Sequence, residues 1–355
     1  MSTIPDALCC SFGDEHSGRL VGIQRTDGSL QTADSLAVPA PMFLAVAPDG
    51  DHAYAVLDHD GGEIRTVAIA DDGGLVELNR HPTGGAEPCY VSVDRAGEFA
   101  FTANYTGGSV SLFPIEPDGS LGERAQLIEH EGSGPNTERQ DDAHPHSIVP
   151  GPDDRFVYAP DLGTDEIWCY ELDREAGLLE PAAQPPVEIH AGAGPRHLAF
   201  HPNGETAYLL NELDSTLTVL AREGSSGALD PLEYVDALPG DLPDEERAES
   251  YTADIAVHPS GNWCYCSNRG HDSITIFDLG GADGRAVERI ANEPVRGEWP
   301  RDVALTPDGS HLFVENRHTD EIVTFAVDAT DGSLSATGDT LSITEPICLA
   351  FREDL

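Results

Sequence analysis

His146, Arg196 and Glu212 are the residues on which the chemistry of this sequence is expected to turn. An imidazole with a pKa near neutrality can take a proton from water or from a substrate carbon. A carboxylate beside it can orient the ring or donate to a leaving oxygen. A guanidinium stabilises an oxyanion as it forms and pairs bidentately with carboxylate or phosphate. Arg269, Arg301 and Arg317 add further guanidiniums, His144 a second imidazole and Asn211 an amide for substrate contacts. His144 and His146 flank Pro145 and could suggest metal, but no further Asp/His set converges with them, so no metal site is expected. No nucleophile-elbow serine and no phosphate loop occurs, and no cofactor is expected.

These residues lie far apart in the chain and can meet only if a repeat superposes them. The stretch Gly192 to Glu212, GAGPRHLAFHPNGETAYLLNE, reads as a β-hairpin with Asn203-Gly204 at its tip. Its two ends return to one edge, so Arg196 at the start and Glu212 after the second strand become neighbours. The same hairpin recurs from Pro41, Pro88, Pro145, Pro195, Thr252, Pro300 and Pro346, at intervals of 47, 57, 50, 57, 48 and 46 residues. A second marker stands seven positions on, at Pro48, Pro152, Pro202, Pro259 and Pro307, with Arg95 the exception. A third stands sixteen positions on, at Asn104, Asp161, Asn211, Asn268 and Asn316, with Leu57 the exception. The recurring markers are expected to be structural, the Asn/Asp position satisfying turn backbone groups. Positions beside them share the geometry and vary in chemistry. After the anchor come Met42, Cys89, His146, Arg196, Ala253, Arg301 and Ile347; after the third marker come Asp58, Tyr105, Leu162, Glu212, Arg269 and Arg317. Both sets are expected to ring one channel mouth. The bland alternative is that the arginines only neutralise acids such as Glu315 or Asp302.

A period near 50 residues with four short strands per unit, and almost no helical periodicity, predicts an all-β, seven-bladed β-propeller. A single domain over residues 1–355 is expected. The last unit, PICLAFREDL, supplies one strand, and ALCCSFG, GRLVGIQ and LQTADSLAV supply three, so the last blade is expected to close from both termini. Two long connections, Glu131 to Ala143 and Leu238 to Tyr251, enter first strands and are lid candidates.

The formal net charge is −45, from 64 acidic and 19 basic residues, and every basic residue is arginine. Such a lysine-free acidic surface looks like that of an extreme halophile, where a Debye length of about 3 Å at molar salt screens self-repulsion. It offers no basic stripe to nucleic acid or an anionic membrane, so neither is expected as a partner. Four arginines at one rim reverse the sign locally and suit a small anion. The seven cysteines show no C-x-x-C spacing; Cys264 and Cys266 read as buried thiols. MSTIPDALCC has no leader pattern, and a cytoplasmic protein, monomeric or weakly self-associating, is expected.

GAGPRHLAFHPNGETAYLLNELDSTLTV, PHSIVPGPDDRFVYAPDLGTDEIWCYELD and ADIAVHPSGNWCYCSNRGHDSITIFDL resemble corresponding segments of the seven-bladed lactonase family, typified by the bacterial propeller-type 6-phosphogluconolactonase. The resemblance covers essentially the whole chain. It implies hydrolysis of a sugar-acid lactone, 6-phosphogluconolactone or gluconolactone, in carbohydrate metabolism and the pentose phosphate pathway. The fungal carboxymuconate lactonising enzyme shares the fold, and the resemblance implies that its proposed histidine, arginine, glutamate and second arginine fall on His146, Arg196, Glu212 and Arg269. A cycloisomerase is therefore the first alternative and a non-catalytic binding propeller the second. With no lysine available, any phosphate must be held by Arg269, Arg301 or Arg317.

Overall fold

The computed structural model describes residues 4–13, 17–26 and 29–352; Met1–Thr3, at the head of the stretch read for a leader, lie outside them. Seven antiparallel sheets follow one another, six of them with consecutive strands. The hairpin at the centre of the sequence reading forms as expected. Pro195–Phe200 pairs with Thr206–Asn211, Asn203 Oδ1 accepts the amides of Glu205 and Thr206, and Gly204 turns the chain at φ 72°. Each innermost strand packs beside the next, from Pro41–Val46 round to Pro346–Phe351 and back to Pro41–Val46, so the sheets close a ring around a channel. This is the seven-bladed propeller. In the closing blade, Pro346–Phe351 is the inner strand and pairs with Ala7–Ser11, followed by Arg19–Thr26 and Ser29–Ala37.

The markers of the repeat have physical jobs. Asn211 and Asn268 are fully buried and donate their amides to hydroxyls of the next strand, Thr216 and Thr218 in one case, Ser273 and Thr275 in the other. Asp161 instead accepts the backbone amides of His144, Gly163 and Thr164. A fourth recurring position ties each blade to its neighbour. The buried Tyr54, Tyr158, Tyr208 and Tyr265 donate to the carbonyls of Gly119, Gly227, Gly284 and Gly332 in the following blade.

The feature that builds the channel is a register shift immediately after the anchor. It occurs between Pro41 and Phe43, Pro88 and Tyr90, Pro195 and His197, Thr252 and Ile255, and Pro300 and Asp302. In a regular strand two successive side chains face opposite ways. A bulge leaves one residue unpaired and re-aims it. Here it lets two successive residues of an inner strand enter the channel. In the third blade the anchor Pro145 makes only an isolated bridge to Asp161, and the inner strand proper is the short Val149–Pro150.

All seven cysteines are buried and free. Of the two long connections, Leu238 to Tyr251 contains a short helix, Asp244–Ala248, which composition alone did not suggest. Among the described residues, no helix is long and apolar enough to cross a membrane.

The packing of the closing blade makes a quantitative prediction. Leu8 is fully buried against Leu44 and Ile347, whereas Leu232 is 46% exposed on an outer strand. Leu8→Ala should cost about 2–5 kcal/mol of unfolding free energy. Leu232→Ala should stay within about 0.5 kcal/mol of wild type. Denaturant titration in concentrated salt measures both, and equal effects would contradict the closed ring.

Candidate active site at the channel mouth

Glu212 follows the strand Thr206–Asn211, and its carboxylate is 3% exposed. Its Oε2 meets Arg196 Nη1 at 3.1 Å and Arg269 Nη2 at 3.0 Å, and its Oε1 meets Arg139 Nη2 at 2.7 Å. His146 Nε2 stands 3.7 Å from Oε2. Burial alone would raise the Glu212 pKa, but Arg269, Arg196, His146 and Arg139 together hold it well below the usual carboxylate range. Glu212 is thus a fixed negative charge. Of the two roles open to it from sequence, orienting its neighbours fits this geometry and donating a proton does not.

Arg196 is the unpaired residue of the fourth-blade bulge and is 2% exposed. Its Nε donates to the Ala253 carbonyl at 2.5 Å, and its Nη1 sits against His146 Nε2 as well as Glu212. His146 is buried, and desolvation, followed by the Arg196 charge, pushes its pKa well below the ordinary histidine value. The imidazole is therefore neutral, with a lone pair turned towards a cation. Cys89 lies on its other side, with Sγ 3.7 Å from Nδ1.

Arg269 ends the strand Trp263–Arg269, donates to the Thr252 carbonyl at 2.8 Å, and lies over the rings of Trp299 and Tyr251. Arg301 is the bulge residue of the sixth blade. Burial and the nearby Arg196, Arg269 and Arg317 charges bring its pKa down to about 9; burial, opposed by Glu212 and helped by the Arg196 and Arg139 charges, brings Arg269 to about 10. Arg139 shifts upward instead, because it is partly solvated and faces Glu212 and Tyr105. Among the described residues Arg301 has no ion pair and no hydrogen bond to protein.

Three expected substrate contacts need correction. Asn211 is fully buried with its amide spent on Thr216 and Thr218, so it belongs to the blade and not to the site. Arg317 turns to the closing blade, where it pairs with Glu345 at 3.1 Å and covers Phe12. His144 stacks on Tyr105 at 4.6 Å and bonds its carbonyl, forming wall rather than contact surface. Arg139 was not anticipated. It is the sole basic residue of the Glu131 to Ala143 connection, which does reach the mouth, anchored by the buried Gln140 on Leu162 and Asp165. Nor do the arginines simply neutralise Glu315 and Asp302; those two carboxyls lie deeper, and burial and mutual repulsion push both well above the usual range.

The sequence profile of the family described as "Lactonase, 7-bladed beta-propeller" matches residues 9–351. The chain is 34% identical over 315 residues to the 6-phosphogluconolactonase of Bacillus subtilis, covering 88% of this chain and 87% of that one. Among solved structures, the periplasmic gluconolactonase PpgL of Pseudomonas aeruginosa superposes with a TM-score of 0.89 at 27% identity, covering 98% of both chains. A Lactobacillus plantarum protein superposes with a TM-score of 0.88 at 31% identity, over 98% of this chain and 99% of that one.

Glu212→Gln removes the one anion that three guanidiniums surround, and should cost about 3–5 kcal/mol of stability at neutral pH. Because the folded pKa lies below the ordinary 4.5, the stabilisation is complete above that value and fades as pH falls through the folded one. Denaturant melts of both proteins should give a constant difference from about pH 8 to about pH 5 that shrinks only in more acid solution. A difference already shrinking near neutrality would show that Glu212 is not held as described.

Proposed function

The chain belongs to the seven-bladed β-propeller lactonase family, and on that premise we propose that it hydrolyses a sugar-acid lactone with an anionic tail, 6-phosphogluconolactone in first place. The observation that carries this reading is Arg301, a guanidinium within the Arg196–Arg269–Glu212 cluster whose own charge has no partner among the described residues. A phosphate or carboxylate would supply one, through charge-assisted hydrogen bonds that a guanidinium fork is shaped to make. The names of the Bacillus subtilis and Pseudomonas aeruginosa relatives support lactone opening with and without the phosphate.

In the proposed reaction Arg196 donates to the lactone carbonyl and then to the oxyanion. Its Nη1 already lies between His146 and Glu212, so only a short shift from the imidazole brings the donor to the carbonyl. His146, neutral in its cationic surroundings, takes the proton of the attacking water once the substrate carbonyl draws Arg196 away. Glu212 keeps both arginines in place. Arg269 and Arg301 hold the tail, and Arg139 closes the mouth from its connection. The setting we propose is the cytoplasm of a salt-accumulating cell, on the strength of the lysine-free acidic composition.

Lactone opening followed by proton release in concentrated salt tests this directly. His146→Ala should lower kcat by about 10²–10⁴. Arg301→Ala should lower kcat/KM for 6-phosphogluconolactone about 10–150-fold, the equivalent of about 1.5–3 kcal/mol for a charged hydrogen bond. The same variant should change gluconolactone turnover by less than about threefold. Equal losses on both lactones would remove Arg301 from the tail site. No acceleration of either lactone by folded wild type would turn the reading to a carboxymuconate cycloisomerase, or to a binding propeller.

A further inference from the structure

The residue two places after each anchor forms a second ring one step further along the channel. It comprises Phe43, Tyr90, Ser147, His197, Asp254, Asp302 and Cys348. Several of its side chains reach the next blade. His197 Nδ1 donates to Asp254 Oδ1 at 2.6 Å, the Val303 amide donates to Asp254 Oδ2 at 3.3 Å, and the Leu349 amide donates to Asp302 Oδ2 at 2.8 Å. Asp254 and Asp302 also bond each other. Beyond them lies a chamber of about 640 Å³, lined by Phe43, Tyr90, Asp254 and Asp302 and running to Pro48 and Arg95 at the far ends of the inner strands.

The upper ring is cationic, and the lower one carries carboxyls of which Asp254 is ionised. Arg196, Arg269, Arg301 and Arg139 surround the mouth; Asp254, Asp302 and, behind them, Glu315 occupy the deeper level. His197 stands at the junction. Its ring contacts that of His146 edge-on at 5.5 Å between centroids, and the rings of Tyr90 and Phe43 wall it in. Burial, and then the Arg196 and Arg301 charges, lower its pKa to about 4, and Asp254 opposes them. Asp254 is held ionised by His197, while Asp302 keeps its proton against Asp254, Cys348 and burial. Next to an ionised Asp254, the His197 proton belongs on Nδ1. Nε2 is then a bare acceptor, and this buried atom has no hydrogen-bond partner among the described residues.

We infer that His197, Asp254 and Asp302 form a proton exit from the site, running from His146 down the channel into the chamber, while the anionic substrate enters and leaves at the mouth. The inference rests on the lactonase reading. Hydrolysis consumes one water. The proton that His146 takes from it returns to the ring oxygen as the C–O bond breaks. The product is a carboxylic acid, whose proton must leave for the carboxylate to form. His146 accepts that proton, and a water at His197 Nε2 bridges the two rings. As Nε2 gains a proton, Nδ1–H passes to Asp254, and the Asp254 proton moves across to Asp302 in place of the one that Asp302 releases to the chamber. The gradient favours this direction: a proton is repelled by the guanidiniums it leaves and attracted by the ionised Asp254 it approaches. His197 and Asp254 are positioning residues that never touch the substrate.

The test uses the full chain and whichever lactone the wild type opens, with thermal melts confirming folding. His197→Ala leaves a space continuous with the chamber. Its kcat should fall at least about tenfold with KM within about twofold, and added imidazole should recover most of the loss without affecting wild type. Asp254→Asn makes the side chain a donor, forces the His197 proton onto Nε2 and abolishes the acceptor, as in other histidine–carboxylate pairs. Its kcat should fall similarly and imidazole should not recover it. If Asp254→Asn does not fold, His197→Ala alone decides. A kcat for His197→Ala within twofold of wild type, or a loss that imidazole does not repair, overturns the exit path alone. A wild type that opens no lactone overturns the functional reading and the exit path with it.

Discussion

The site depends on one buried carboxylate. Glu212 sits in a position where its own desolvation would be prohibitive, and three guanidiniums from three segments of chain offset it. Arg139 comes from the connection into the third blade, Arg196 from the inner strand of the fourth, and Arg269 from the second strand of the fifth. The ion cluster is therefore also a clamp between blades. It holds Arg196 beside the reacting position before any substrate arrives, which limits the reorganisation needed as an oxyanion develops. It also sets the state of His146, because the same Arg196 charge that Glu212 anchors keeps the imidazole neutral.

The backbone supplies the second constraint. A strand offers every other residue to a given face, which would give the channel one residue per blade at each level. The bulge after the anchor gives it two in succession. In the fourth blade these are Arg196 and His197, in the sixth Arg301 and Asp302. Each pair puts a cation at the upper level and, at the lower, a carboxyl or the imidazole that bonds one. Guanidinium charge and proton-carrying groups thus separate along the channel axis within adjacent residues of the same strands. The blades themselves are held by uncharged devices, the tyrosine-to-glycine bonds and the buried amides, which leaves the ionisable residues of the channel free for electrostatic work.

This division explains what could be read from the sequence. The blade count was legible because proline, asparagine and glycine recur for structural reasons at fixed offsets, visible in the buried amide bonds of Asn211 and Asn268 and in the turn at Gly204. The upper ring was legible because it varies at a fixed offset from those markers. Asn211 was misplaced by adjacency: it precedes Glu212, but its side chain turns into the blade. Arg139 was not legible because it stands outside the repeat, although a lone arginine in an acidic connection was a signal. The tyrosines at Tyr54, Tyr158, Tyr208 and Tyr265 form a further marker, replaced by Phe101 and Phe313 in two units, and were overlooked. His197, Asp254 and Asp302 were hidden by the rule of alternation itself, since a residue next to a channel-facing one ought to face away; only the bulge places both inside.

The net charge of −45 and the arginine mouth bear on each other through salt. In dilute solution an anion would meet a strongly repulsive surface before reaching the cluster. At molar salt the Debye length of about 3 Å removes that long-range repulsion together with any long-range steering. Affinity then has to come from direct contact, and the cluster is built for contact: it holds more guanidinium charge than Glu212 can neutralise, and Arg301 is the group left over. In the proposed reaction the product carries one more carboxylate than the lactone, formed next to Arg196. Release would be slow if that charge kept its proton nearby to pair with the site, or if the cluster bound it unscreened. Separating the proton from the anion along the channel, and screening the anion at the mouth, address these two costs by different means.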